Sequence, residues 1–155
     1  MIVATATDTT QEFGPLARLV VKYGELVEQI VPEAKKPGFT ADGWGPLAEL
    51  VAVDQFKRVG AYMEVMNWAE YADFMTQWAG ATGFDATIKR ISEVGRVVFY
   101  EIEEHHLKDG QPLVKNVTAI YVFNDENKIV HLDIYEQAKD TGRWIVEAAA
   151  AATKA

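Results

Sequence analysis

The chain contains no cysteine, one serine and three histidines among 155 residues. Without cysteine, disulfide frameworks, thiolate metal sites and cysteine nucleophiles are excluded. Ser92 does not lie in a nucleophile-elbow pattern, and His105, His106 and His131 are not spaced as metal ligands. No glycine run has the spacing that cradles a phosphate. The sequence therefore predicts neither a metal site nor an organic cofactor.

Basic clusters and long apolar runs are also missing. The chain has 15 Lys and Arg residues against 23 Asp and Glu residues, a net charge of −8, which repels phosphate backbones and anionic lipid. No stretch approaches the roughly 20 apolar residues of a membrane helix, and Met1 to Gln11 does not resemble a secretory signal. We expect no nucleic acid or membrane partner and a cytoplasmic location.

The hydrophobic content of 49% is sufficient for the core of one domain of this length. We predict a single domain over residues 1–155, with 1–12 and 148–155 frayed. The spacing of apolar residues predicts a long helix from Phe13 to Val31 that ends at Pro32.

Further helices and strands follow along the chain. A short helix opens at Pro46, and Asn67 with Glu70 predicts a capped helix of aromatic residues. Turn residues separate the predicted strands, which are Thr87–Ile91, Arg96–Leu107, Leu113–Phe123 and Lys128–Glu136, with an earlier strand or bulged pair in Gln55–Met66. A last helix follows Thr141. Helices first and an antiparallel meander afterwards predict an α+β fold with the helices on one face of a curved sheet.

Two tight turns predict the register of the sheet. A hairpin centred on Asp109-Gly110 pairs Ile102 with Val117, and one centred on Asp125-Glu126 pairs Val117 with Ile134. The first face, expected under the helices, then holds Val98, Tyr100, Ile102, Glu104, Lys115, Val117, Ala119, Tyr121, Val130, Leu132, Ile134 and Glu136. The second face holds Phe99, Glu101, Glu103, Asn116, Thr118, Ile120, His131, Asp133 and Tyr135. Apolar side chains on this second face, including Val122 and Ile129, favour a homodimer contact.

The segments LAELVAVDQF, NWAEYADFMTQWA, GRVVFYEIEE and VFNDENKIVHLDIYEQ resemble, in this order, the nuclear transport factor two-like superfamily with its SnoaL-like and ketosteroid-isomerase-like branches. The resemblance covers Phe13 to Gln137 and implies a cone-shaped sheet, an apolar small-molecule ligand and a homodimer. In the epoxide-hydrolase branch an essential arginine and an aspartate occupy the positions of Ile102 and Ile134, and a second aspartate that of Glu104. The two aliphatic residues argue against that reaction.

Glu104 and His106 lie two apart on the first face and are candidates for an acid–base pair. An ion pair of Glu104 with Lys115, flanked by Glu136, is the alternative. Tyr100 is the third catalytic candidate, because its hydroxyl could orient a substrate oxygen. The predicted substrate-binding residues are Tyr23, Phe56, Trp68, Trp78, Ile102, Val117, Ala119, Tyr121, Leu132 and Ile134.

The resulting hypothesis is a cofactor-free isomerase, cyclase or dehydratase that acts on an apolar cyclic or polyketide-like substrate. A ligand-binding protein without chemistry and a dimeric interaction domain stay open as alternatives. If the two faces were inverted, a carboxylate pair of Glu101 and Asp133 near Thr118 and His131 would be the site. Arg58 either meets an anionic substrate group or is solvated.

Overall fold

In a computed structural model of the protein, residues 2–5, 13–139 and 142–153 are described. The strands are β1 (Ile2–Thr5), β2 (Lys57–Val59), β3 (Val65–Met66), β4 (Phe84–Val94), β5 (Val97–Lys108), β6 (Gln111–Phe123) and β7 (Ile129–Gln137). The helices are α1 (Pro15–Glu33), α2 (Gly45–Ala48), α3 (Trp68–Ala81) and α4 (Arg143–Thr153), with a 3-10 turn at Ala41–Trp44. None of the described helices combines the length and hydropathy needed to cross a bilayer.

The strands form one sheet in the order β1-β4-β5-β6-β7-β2-β3. Every pairing is antiparallel except that of β2 with β7, which is parallel. Bulges between Ile88 and Arg90 and between Val122 and Phe123 interrupt the ladders, and such bulges bend a sheet. The α+β fold with an open, cone-shaped sheet is thus confirmed, with one parallel pair that the sequence did not predict.

Helix α1 covers the concave face because its apolar residues recur at helical spacing and are buried. Pro15 occupies the first turn, where its missing N–H is not needed. Pro32 lies inside the last turn, so the helix ends one residue later than predicted. Two hydrogen bonds fix α1 to β4: the Ala17 N–H donates to Glu93 Oε1 at 2.6 Å, and the Ala86 N–H donates to Glu28 Oε1 at 2.9 Å.

Helix α3 begins at the predicted cap. The Glu70 N–H donates to Asn67 Oδ1 at 2.9 Å, and the Asn67 N–H donates to Glu70 Oε1 at 3.1 Å. This reciprocal pair satisfies two backbone donors that the first turn of a helix leaves free. The capping prediction is confirmed.

The register of β5 with β6 is the predicted one, with Ile102 opposite Val117. The register of β6 with β7 is wrong by two residues, because Val117 lies opposite Glu136 and Ala119 opposite Ile134. The cause is a longer turn: Asn127 takes a left-handed conformation with φ 59°, and the Asn124 side chain accepts the N–H groups of residues 126 and 128. A shift of two residues leaves each side chain on its predicted face.

Burial confirms the assignment of the two faces. Tyr100, Ala119 and Leu132 are buried, whereas Glu101 and Asp133 remain partly exposed. The prediction for Ile129 is wrong. It was expected on the second face, but its side chain is fully buried, and its N–H donates to the Leu50 carbonyl.

Secondary structure extends into both segments that were predicted to be frayed. Within the segment predicted as frayed, β1 pairs with Arg90–Glu93 of β4. Helix α4 continues to Thr153 and therefore includes part of the tail expected to fray, although none of its residues is buried. Residues 1, 6–12 and 154–155 lie outside the described residues.

Candidate active site

A cavity of about 240 Å³ lies between the concave face of the sheet and helices α1 and α3. Strands β5, β6 and β7 contribute its floor, since alternate residues of each strand point to this face. Its lining includes every predicted catalytic residue and eight of the ten predicted binding residues, namely Tyr23, Trp78, Ile102, Val117, Ala119, Tyr121, Leu132 and Ile134.

Phe56 and Trp68 are the two exceptions. Both are buried, and their rings meet edge to face with centroids 5.5 Å apart. They belong to the core between α3 and the segment before β2, and they do not line the cavity. An aromatic residue at helical spacing serves packing as readily as ligand binding, so spacing alone could not separate the two roles.

Glu104 and His106 meet at one end of the cavity. The His106 Nε2 atom lies 2.9 Å from Glu104 Oε2, and the two side chains are 9% and 20% exposed, respectively. The imidazole also packs on the rings of Trp78 and Phe84, with centroids 6.0 and 5.3 Å away. These contacts fix the imidazole against an apolar wall while the carboxylate still faces the cavity.

The alternative ion pair, of Glu104 with Lys115, does not form, because Lys115 pairs with Glu136 instead. Lys115 lies opposite Glu104 across the strands, yet its Nζ atom is 3.5 Å from Glu136 Oε2. Glu104 therefore keeps His106 as its partner, and the Lys115–Glu136 pair lines the same end of the cavity. This arrangement brings acidic and basic groups together beside an apolar floor.

Three phenols, of Tyr23, Tyr100 and Tyr121, line the middle of the cavity. The Tyr121 ring meets those of Tyr23 and Tyr100 edge to face, at 5.6 and 6.2 Å between centroids. Burial, first of all, raises the pKa of each of the three. The carboxylates of Glu28, Glu25 and Glu104 raise the pKa of Tyr100 further. The phenols thus remain protonated and can donate hydrogen bonds at neutral pH.

Helix α1 approaches the Tyr100 hydroxyl closely at Gly24. A Cβ atom on Gly24 would lie 3.0 Å from Tyr100 Oη. The glycine thereby allows the hydroxyl to lie directly under the helix. Sequence periodicity alone did not identify this contact, because the apolar stripe of α1 predicts which face is buried and not which atom it meets.

Arg58 lines another part of the cavity wall. It is not among the predicted catalytic or substrate-binding residues. Its side chain is only 11% exposed, and its guanidinium carbon lies 4.7 Å from the Tyr71 ring centroid and 5.6 Å from that of Phe74. Of the two alternatives for Arg58, a solvated side chain is therefore contradicted. Strand β2 places it here because Arg58 pairs in parallel with Leu132, which points into the cavity.

On the second face, the carboxylates are not enclosed. Glu101 forms an ion pair with Arg90, and the Arg90 hydrogen bond, first of all, lowers the Glu101 pKa. Asp133 lies 2.8 Å from His131 Nε2. Each carboxylate has its own basic partner, which removes the basis for a shared-proton site there. In the described part of the chain, no group of three or more potential metal ligands converges.

No family model matches the chain, and no curated protein matches its sequence. Solved structures do match it. The BvnE pinacolase of Penicillium brevicompactum is 11% identical, with a TM-score of 0.65, over 88% of this chain and 96% of that one. An LEH-like epoxide hydrolase of M. tuberculosis is 14% identical, with a TM-score of 0.56, over 86% and 96%. An NTF2-like protein of unknown function from Cytophaga hutchinsonii is 14% identical, with a TM-score of 0.56, over 90% and 99%. Likeness at this identity establishes a shared fold.

Proposed function

We propose that this chain, which has the NTF2-like fold, is an isomerase, cyclase or dehydratase that moves a proton within an apolar cyclic or polyketide-like substrate. The observation that supports this most directly is the Glu104–His106 contact of 2.9 Å at the edge of a largely apolar cavity. The fold is shared with a pinacolase and an epoxide hydrolase, although fold alone does not assign a reaction.

In the proposed reaction, the Glu104 carboxylate removes a proton from a carbon next to a substrate oxygen function. His106, held on the carboxylate, exchanges that proton and returns it at a second position. The Tyr100 hydroxyl donates a hydrogen bond to the substrate oxygen on which negative charge develops. Positioned donors are effective in a cavity that excludes water, since they need no reorganisation as the charge forms.

The proposal is tested by deuterium exchange at the α-carbons of 2-tetralone, a bicyclic ketone, in D2O, followed by NMR. We expect the protein to accelerate exchange, and Glu104→Gln to reduce this acceleration by roughly 10²- to 10⁴-fold, the usual contribution of a positioned acid or base. His106→Gln is expected to reduce it by a smaller factor within the same range.

The chain offers matched controls on the second face. Glu103→Gln and His105→Gln alter a carboxylate–imidazole contact of 2.8 Å that lies outside the cavity. Their exchange rates should equal that of the wild-type protein. Exchange that is equally fast in Glu104→Gln and in the wild-type protein would remove the acid–base assignment.

A ligand-binding protein without chemistry is the second candidate. Ile102 and Ile134 support it, because they place aliphatic side chains in the cavity lining near Glu104. This candidate predicts that 2-tetralone raises the midpoint of thermal unfolding while its α-protons exchange at the uncatalysed rate. Catalysed exchange that disappears in Glu104→Gln argues against it.

We further propose a homodimer through the second face of the sheet. The support is the exposure of large apolar side chains there, Phe99, Leu107, Val114 and Tyr135. Large apolar side chains exposed on one face are a feature of interaction sites. Sedimentation equilibrium at micromolar concentration should give twice the mass of the chain, and Phe99→Glu should give the monomer mass.

A further inference from the structure

Three polar side-chain atoms in the described part of the chain are buried without a hydrogen-bond partner. They are Tyr23 Oη, Arg58 Nε and Arg58 Nη1. Both residues line the same cavity. Leaving one buried donor unpaired is unfavourable by about 1–3 kcal/mol, and by more for a charged group. Their concentration in one cavity indicates a group that the free protein does not supply.

The immediate surroundings of Arg58 do not satisfy it. Glu64 is its ionic partner, but the Arg58 Nη1 to Glu64 Oε1 distance of 3.7 Å is too long for a hydrogen bond. The other Glu64 oxygen accepts the N–H of residue 62 at 2.9 Å. The Arg58 cation also lies over the Tyr71 and Phe74 rings, whose faces carry no oxygen or nitrogen acceptor. Burial, first of all, raises the pKa of Tyr23, and the Tyr71 phenol raises it further. By distance and angle, the Tyr23 hydroxyl has no hydrogen-bond partner.

We infer that Arg58 and Tyr23 bind a carboxylate of the substrate. A carboxylate has two oxygens with about four acceptor positions, so it can accept from Arg58 and from Tyr23 at the same time. It also supplies a negative charge for the Arg58 cation, which Glu64 at 3.7 Å balances only in part. A neutral carbonyl oxygen has only two acceptor positions and brings no charge.

The register places this carboxylate site away from the proton-transfer site. Arg58 aligns with Leu132, Tyr121 and Val98 across the sheet. Glu104 lies six residues beyond Val98 along β5, about 20 Å at the usual rise of a strand. Tyr121 lies in the same row as Arg58, and its phenol lines the same cavity. The substrate class is therefore an elongated apolar acid, with its carboxylate at Arg58 and its reacting carbon at Glu104.

This inference deepens the proposed function, because it rests on the same cavity and names the class of substrate. It does not require turnover. The probes are therefore benzoate, 2-naphthoate and 2-anthroate with their matching carboxamides, and dissociation constants are measured by calorimetry. For at least one ring size, we expect the carboxylate to bind roughly ten- to a hundredfold more tightly than its amide, as expected for a charge-assisted hydrogen bond.

Variants assign the effect to Arg58. Arg58→Gln should abolish the preference for carboxylate over amide, and Tyr23→Phe should weaken carboxylate binding by a smaller factor. Glu64→Gln should strengthen carboxylate binding, because it removes the competing charge. The control Arg90→Gln removes an arginine that is paired with Glu101 outside the cavity and should leave the preference intact.

Three results would overturn the inference: no carboxylate binds, the amide binds as tightly as the acid, or Arg58→Gln keeps the preference. A thermal unfolding midpoint of Arg58→Met that falls as far as that of a core truncation would also overturn it, since Arg58 would then be a structural residue. Deuterium exchange of 2-tetralone is measured separately from carboxylate binding. If the wild-type protein shows no preference for carboxylate but Glu104-dependent exchange occurs, only the inference is rejected. If the preference is present but Glu104-dependent exchange is not, only the proton-transfer function is rejected.

Discussion

His105 and His106 are adjacent on β5, yet they lie on opposite faces of one sheet. Each contacts the carboxylate two residues before it: His105 Nε2 is 2.8 Å from Glu103, and His106 Nε2 is 2.9 Å from Glu104. The surroundings differ. His106 packs under aromatic rings, whereas His105 is 35% exposed and has a second carboxylate, Asp85, at 2.6 Å.

The comparison teaches that a spacing of carboxylate and imidazole does not by itself define a catalytic pair. On the second face water and salt screen the contact, so it contributes little. On the concave face the surrounding apolar side chains lower the effective dielectric constant and strengthen the same interaction. The face of the sheet decides which pair can act on a ligand.

The largest expected effect is on the free energy of unfolding, when one aliphatic side chain from each face is truncated. Ile91 on the concave face is 1% exposed and Leu107 on the second face is 50% exposed. Ile91→Ala should lower the free energy of unfolding by about 2–5 kcal/mol. In the Phe99→Glu background, which is expected to be monomeric, Leu107→Ala should change it by about 0.5 kcal/mol or less, as for surface substitutions. Urea unfolding measures both, and equal losses would contradict the difference between the faces.

Much of this difference between the faces was predictable from local sequence. The Asp109-Gly110 turn has positive φ at both residues, 52° and 75°, which fits a two-residue hairpin and determined the register of β5 with β6. The turn before β7 was predicted less well, because the side chain of Asn124 and the left-handed Asn127 lengthen it. The period of two along strands preserved the faces despite this shift.

Arg58 could not be placed from sequence. Its position depends on β2 pairing in parallel with β7, which is more than 70 residues away along the chain, and no local pattern encodes such a pairing. Gly60 was the one available signal. A Cβ atom there would lie 1.6 Å from Glu64 Oε1 and 2.8 Å from Arg58 Nη1. This glycine leaves room for two charged side chains, whereas the sequence predicted only an early strand or bulged pair in this segment.

A smaller effect is expected from alanine substitutions at two helical glycines, of which only Gly24 lines the cavity. Gly80 in α3 has open space where a Cβ would be, so Gly80→Ala should raise the free energy of unfolding by about 0.5–1 kcal/mol. Gly24→Ala should gain less, because the added methyl meets the Tyr100 hydroxyl at 3.0 Å. It should also weaken binding of 2-naphthoate, whereas Gly80→Ala should not. If Gly24→Ala and Gly80→Ala stabilise the protein equally and binding is unchanged, the Tyr100 side chain moves aside without cost and the prediction is wrong.

The smallest expected effect lies on the second face and depends on pH. Hydrogen bonds that the protonated imidazole donates to Glu103 and then Asp85 raise the pKa of His105 in the folded protein. A group whose pKa is raised by folding stabilises the protein fully below its unfolded pKa of about 6.5, and this contribution is lost as the pH rises through the folded pKa. The stability difference between the wild-type protein and His105→Gln, from urea unfolding, should therefore be larger at about pH 5 than at about pH 9. Because the pair is exposed, added salt should reduce the difference at low pH. A difference that grows with pH would show that His105 is stabilised as the neutral imidazole, and the contrast with His106 would then need a cause other than screening.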